Sequence, residues 1–249
     1  PLESTEAGML EDLALFVDPL RRLPLKECQE FLTKLANEYL VKYIEAESGT
    51  VIISFTLITL AKIAETFDAN QLPQPFVTLF AHLLKSKNFD DDVESIQNIV
   101  CILGCFAGRL RPHSEAFAED IYKKLTDLLH FLEKKLKQQD STEDDDECYE
   151  AIIWAIGKTF QSYPEKANAD MVKTWVNKMP LKINDADSRE QMQILAGALQ
   201  KEPHKKIIED SLHGDIQHLR DILKWCLKSP HADKDCKEAI EKAQACYKS

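Results

Sequence analysis

The chain has 249 residues, 44% hydrophobic and 29% charged, enough apolar material for a packed core and too much for a generally disordered chain. Only seven glycines and ten prolines punctuate it, too few for the closely spaced turns of a sandwich or barrel and suited to long helices with short connections. With 42 acidic against 31 basic residues the formal net charge is −11, which repels phosphate backbones and suits either a basic protein partner or the plain solubility of a large helical surface.

Apolar spacing predicts about ten or eleven helices. A short one is expected over residues 9–22. The next opens after Pro24 and carries Leu25, Cys28, Phe31, Leu32, Leu35 and Tyr39 on one stripe, the spacing of a helix buried on one side. Residues 49–67 read as a more uniformly apolar inner helix; Ser54, Thr56, Thr59 and Lys62 break its β-branched stretch, which is too short to cross a bilayer. Pro73 or Pro75 opens a further helix, and Asp90, Asp91 or Asp92 caps one through Val93, Ile96, Ile99, Val100 and Leu103. Pro112 opens a longer helix reaching Leu136. Residues 139–147 are then expected as an acidic inter-helix loop before a helix carrying Ala151, Ile152, Ala155 and Ile156. Asn168 or Asp170 starts the next, and Asp185 to Ser188 precede a helix through Met192, Leu195, Ala196 and Leu199. Shorter elements near Ile207 and Leu212, then 216–227 and 234–247, complete the chain.

A small residue recurs inside an apolar run of the second helix of each pair, at Ala61, Gly104, Gly157 and Gly197. The intervals are 43 (61 to 104), 53 (104 to 157) and 40 (157 to 197) residues. A period of about 40 to 47 is that of HEAT and armadillo repeats, in which small residues let stacked helices approach closely. The expected fold is all-α: a right-handed superhelical α-α solenoid of HEAT (armadillo-like) repeats, one solenoid over 1–249 with about five or six helix pairs. An irregular helical bundle is the competing architecture.

The sequence has no glycine-rich phosphate loop, no Gly-x-Ser-x-Gly elbow and no His-Glu-x-x-His. The expectation is a binding protein, not an enzyme, without cofactor or metal. Seven cysteines with no Cys-x-x-Cys pair suggest reduced, mostly packed thiols inside the cell. Cys101 with Cys105, and His213 with His218, lack ligand partners at useful spacing. Glu143, Asp144, Asp145, Asp146 and Glu147 are candidate contacts for a basic partner, against the plainer role of a solvated loop biasing a helix N-terminus. Trp154 and Trp175 are candidate partner-binding residues, against packing; Trp225 poses the same choice.

The run Glu150-Ala151-Ile152-Ile153-Trp154-Ala155-Ile156-Gly157-Lys158, followed by Met171-Val172-Lys173-Thr174-Trp175-Val176-Asn177-Lys178-Met179-Pro180-Leu181, resembles a repeat near the C-terminal end of importin-β (karyopherin-β) family transport receptors, most like the karyopherin β3/importin-5 and importin-4 group. About fifty residues carry the close match, and Ala151 stands where the family often has Asn. The resemblance implies a nuclear transport receptor segment that carries basic protein cargo through nuclear pores and shuttles between cytoplasm and nucleus. It also implies grooves for nucleoporin Phe-Gly repeats, and contacts with the GTPase Ran mainly through N-terminal repeats. Because the chain begins at Pro1 and not at a methionine, a fragment of a longer protein is expected. Nucleic acid and membrane insertion are not expected. A HEAT scaffold outside transport, of phosphatase or vesicle-coat type, is the alternative function.

Overall fold

The computed structural model describes residues 26–40, 56, 59, 84, 93–109, 117–137 and 142–247. The helices expected over 9–22, 49–67 and after Pro73, with Ala61, the Asp90 to Asp92 cap and the start of the helix at Pro112, lie outside these residues or are represented by single positions. All elements of the described residues are helical. The chain forms two compact units, Pro1–Phe117 and Ala118–Ser249.

In the first unit, α1 spans Lys26–Leu35 and runs into a π-helical turn, Ala36–Leu40. Its buried line is Leu32, Ala36 and Leu40, four residues apart. Phe31 and Tyr39, expected on the buried stripe, are 48% and 56% exposed. Each precedes a buried residue by one and so points about 100° to its side. The helix α2, Val93–Arg109, buries Ile96, Ile99, Val100, Leu103 and Ala107, the expected one-sided pattern.

In the second unit, α3 (Ala118–Leu136), α4 (Glu143–Ser162), α5 (Ala169–Asn177), α6 (Asp185–Ala198), α7 (His204–Ser211), α8 (Ile216–Lys228) and α9 (Lys234–Ala245) follow one another with short connections. Their packing forms two rows. The helices α4, α6 and α9 stack side by side in one row. In the other, α5 packs on α7, and the Thr126 hydroxyl of α3 lies 2.7 Å from the Met171 sulfur of α5. This is an α-α solenoid arrangement, in which each helix touches only its neighbours in the stack. The helix α4 shows why position decides pattern: α3, α5 and α6 all cover it, so Cys148, Tyr149, Ile152, Ile153, Ala155, Ile156 and Phe160 are all buried. The three isoleucines and Phe160 each stabilise the fold by about 1.5–3 kcal/mol. By contrast α9 buries only Cys236, Ile240 and Ala243, one stripe beneath a polar outer face.

Side-chain caps set the starts. The Asn168 side chain accepts from Met171 N at 2.8 Å, Asp215 from His218 N at 2.9 Å, and Asp233 from Cys236 N at 2.8 Å. Asn184 accepts from the amides of both Ala186 and Asp187 at 3.0 Å. Residues 185–188, expected ahead of this helix, form its first turn instead, because Asn184 satisfies the orphan amides and Asp185 and Asp187 suit the positive helix end.

Candidate partner-binding surface

The acidic run is helix, not loop, from Glu143 onward; residues 138–141 lie outside the described ones. The reason is a capping box: Asp145 N donates to Thr142 Oγ1 at 3.4 Å while Thr142 N donates to Asp145 Oδ2 at 2.9 Å. Four carboxylates in the first turn then face the helix's positive end favourably. The five acids divide sharply. Asp145 is fully buried, and the Lys135 ammonium of α3 sits 2.7 Å from its Oδ1. That ammonium, with the Thr142 hydrogen bonds, holds the Asp145 carboxyl below its usual range against the opposing effect of burial. It is a staple between α3 and α4, closed to a partner. Glu143, Asp144, Asp146 and Glu147 are exposed.

The two candidate tryptophans also divide. Trp175 has no exposed surface, so its proposed contact with a partner is corrected to packing. Its indole N–H donates to Gln191 Oε1 at 2.8 Å, and its ring lies 5.2 Å from that of Phe160. Gly157 makes room for this junction: a Cβ there would come 1.8 Å from Gln191 Oε1 and 2.5 Å from Trp175 Nε1. The close approach expected of the recurring small residues is thus met at Gly157. It is not met at Gly197, where an added Cβ would meet nothing within 4 Å. Trp225 of α8 is 53% exposed and is no core residue.

Trp154 is half-buried on the α4–α6 face. Its indole N–H donates to Glu190 Oε2 at 2.7 Å, and the Lys158 ammonium meets Glu190 Oε1 at 2.7 Å. That ammonium also lies 5.8 Å from the Trp154 ring centre, within cation–π range. Glu150, one turn before Trp154, accepts from the amides of Lys182 and Ile183 at 2.9–3.0 Å and so holds the turn leading to α6. Burial, then the negative charge of Glu190, raises the Asp187 carboxyl above its usual range, with Lys158 opposing. Glu150, Lys158, Asp187 and Glu190 were not singled out in the sequence. The spacing 150, 154, 158 puts Glu150, Trp154 and Lys158 on one face of α4, but only the packing of α6 brings Glu190 to them.

Beyond this face, a groove of about 240 Å³ runs between the end of α4, α6 and the start of α7. Gln161, Glu190, Gln193, Gly197, Lys201 and His204 are among its lining residues. His204 stands edge-on to Phe160, ring centres 5.8 Å apart. Among the described residues no three His, Cys, Asp or Glu side chains gather as a metal site, and no helix is long and apolar enough to cross a membrane.

No protein-family model matches the sequence, and no curated protein matches it. Among solved structures, the chain is similar to a designed armadillo repeat protein at 17% sequence identity and a TM-score of 0.49, over 94% of this chain and 98% of that one.

Proposed function

We propose that this chain works by holding protein partners through the solvent-facing side chains of its helical stack, without catalysis. In its finer form, the reading is a segment of an importin-β-like nuclear transport receptor that binds basic protein cargo and shuttles between cytoplasm and nucleus. The observation that carries the binding reading is the division of the acidic run. Asp145 alone is consumed by folding, while Glu143, Asp144, Asp146 and Glu147 stand exposed at the start of α4 on a chain of net charge −11. Uncommitted surface carboxylates of one sign steer and select a basic partner. The transport class rests on the resemblance between residues 150 and 181.

A scaffold outside transport is the second reading. The burial of Gly157 and Trp175 favours it, since a motif whose glycine and tryptophan pack on one another serves any stacked repeat.

Fluorescence anisotropy with a labelled Lys/Arg-rich import-signal peptide, at low and at physiological salt, tests the proposal. The comparison variant is Asp144→Asn with Asp146→Asn, leaving the buried Asp145 in place. Saturable binding that weakens with salt, and weakens about fivefold or more in the variant, is expected. Absence of saturable binding at low salt would remove the basic-cargo reading.

A further inference from the structure

We propose that the groove between α4 and α6 is a docking site for an extended peptide of about five residues, with a Lys or Arg side chain at its Glu190 end and an acidic side chain at its Lys201 end. The proposal rests on the protein-binding reading and gives it a place and a ligand pattern.

The geometry is linear. Glu190, Gln193, Gly197 and Lys201 follow one another at steps of three and four residues, along a single line of α6 and the turn after it. From Glu190 to Lys201 that line covers about 16 Å at 1.5 Å per residue. Extended chain advances about 3.3 Å per residue, so five residues match it. The floor is open at Gly197, where an added Cβ would meet nothing within 4 Å, and is lined beside it by Ile194 and Ala198. Exposed glutamines stand on both helices, Gln161 on α4 and Gln193 on α6. A primary amide offers both a donor and an acceptor, the pair that matches the free backbone groups of an extended peptide.

Charge orients the occupant. At one end Glu190 is held rigid by Trp154 and Lys158, and each carboxylate oxygen keeps a further lone pair for an incoming N–H. Asp187 lies one turn before it on α6, and Lys158 is the cation shared between these two carboxylates. At the other end the exposed Lys201 side chain, next to His204, supplies the opposite sign. A ligand with one basic and one acidic residue four positions apart meets both ends.

The test is anisotropy with a labelled nonapeptide, a Gly/Ser host carrying Arg and Glu four residues apart, against the same peptide with Gln at both places. The key variant is Gly197→Leu, whose Cβ enters open space and whose side chain fills the floor, with circular dichroism checking that the fold is kept. Expected are saturable binding of the charged peptide, at least tenfold weaker binding of the neutral one, at least a tenfold loss in Gly197→Leu, and a smaller loss in Glu190→Gln. Equal binding by Gly197→Leu and the unaltered chain overturns the groove, as does failure of the charged peptide to bind at low salt. If the import-signal peptide still binds and responds to Asp144→Asn with Asp146→Asn while Gly197→Leu has no effect, the groove falls and the basic-cargo reading stands. If the nonapeptide binds through Gly197 and the import-signal peptide does not bind at all, the cargo reading falls and the groove stands.

Discussion

Gly157 and Gly197 look alike in the sequence, each a glycine inside an apolar run of a helix in the same row of the stack, and the structure gives them opposite surroundings. Around Gly157 the Trp175 indole of α5 and the Gln191 amide of α6 converge, filling the volume a Cβ would need. Around Gly197 that volume is empty, and the helix surface becomes the floor of a groove. A glycine removes a side chain, and neighbours then either move in or leave a hollow. Which happens depends on what the next helices place opposite, so one local signal produces a packing junction in one repeat and a candidate binding site in another.

The largest effect is expected at the tight junction. Gly157→Ala forces Gln191 and Trp175 apart and strands their buried hydrogen bond, lowering stability by about 2–4 kcal/mol, read as a reduced midpoint in urea. A midpoint equal to that of the unaltered chain would mean that the two side chains move aside freely and that the junction is not specific.

The acidic run repeats the contrast between closed and open surroundings. Asp145→Ala removes the N3 half of the capping box, leaving Thr142 N without its side-chain acceptor and Lys135 without its carboxylate, at a cost of about 1–2 kcal/mol. The same change at exposed Asp144 costs less than about 1 kcal/mol. The pH dependence has a definite sign. With its folded carboxyl held below the usual value, Asp145 contributes stability above about pH 4, and that contribution fades as the pH falls through the lowered folded value. The melting temperatures of the unaltered chain and Asp145→Ala should therefore converge on acidification. A constant gap from neutrality to about pH 2 would sink the ion-pair account.

The smallest effect lies at the open glycine and has the opposite sign. Gly197→Ala adds a methyl group into free space and removes backbone freedom from the unfolded chain, raising stability by about 0.5–1 kcal/mol. Thermal melts of Gly157→Ala and Gly197→Ala run side by side would move in opposite directions; movement in the same direction would erase the distinction between the two sites.

Much of this fold was legible in the sequence because its signals are local. The one-sided apolar periods of α2 and α5 and the cap at Asn168 depend on residues within a turn or two of one another, and they appear where the spacing places them. The acidic run misled for a physical reason. Charge density suggested a solvated loop, while the Thr142 to Asp145 capping box, present in the same residues, made it the first turn of a helix. Trp154 and Trp175, both on apolar helices of one motif, could not be told apart without their neighbours.

The sequence alone determined the all-helical class and the positions of several helix starts, because periodicity, capping and charge are properties of short stretches. Only the tertiary structure decided which tryptophan is buried, which aspartate is consumed in an ion pair, which glycine is filled and which is open, and that Glu190 meets Trp154 and Lys158. Each of those outcomes is set by the side chains that neighbouring helices bring to the same point, and no single helix contains them.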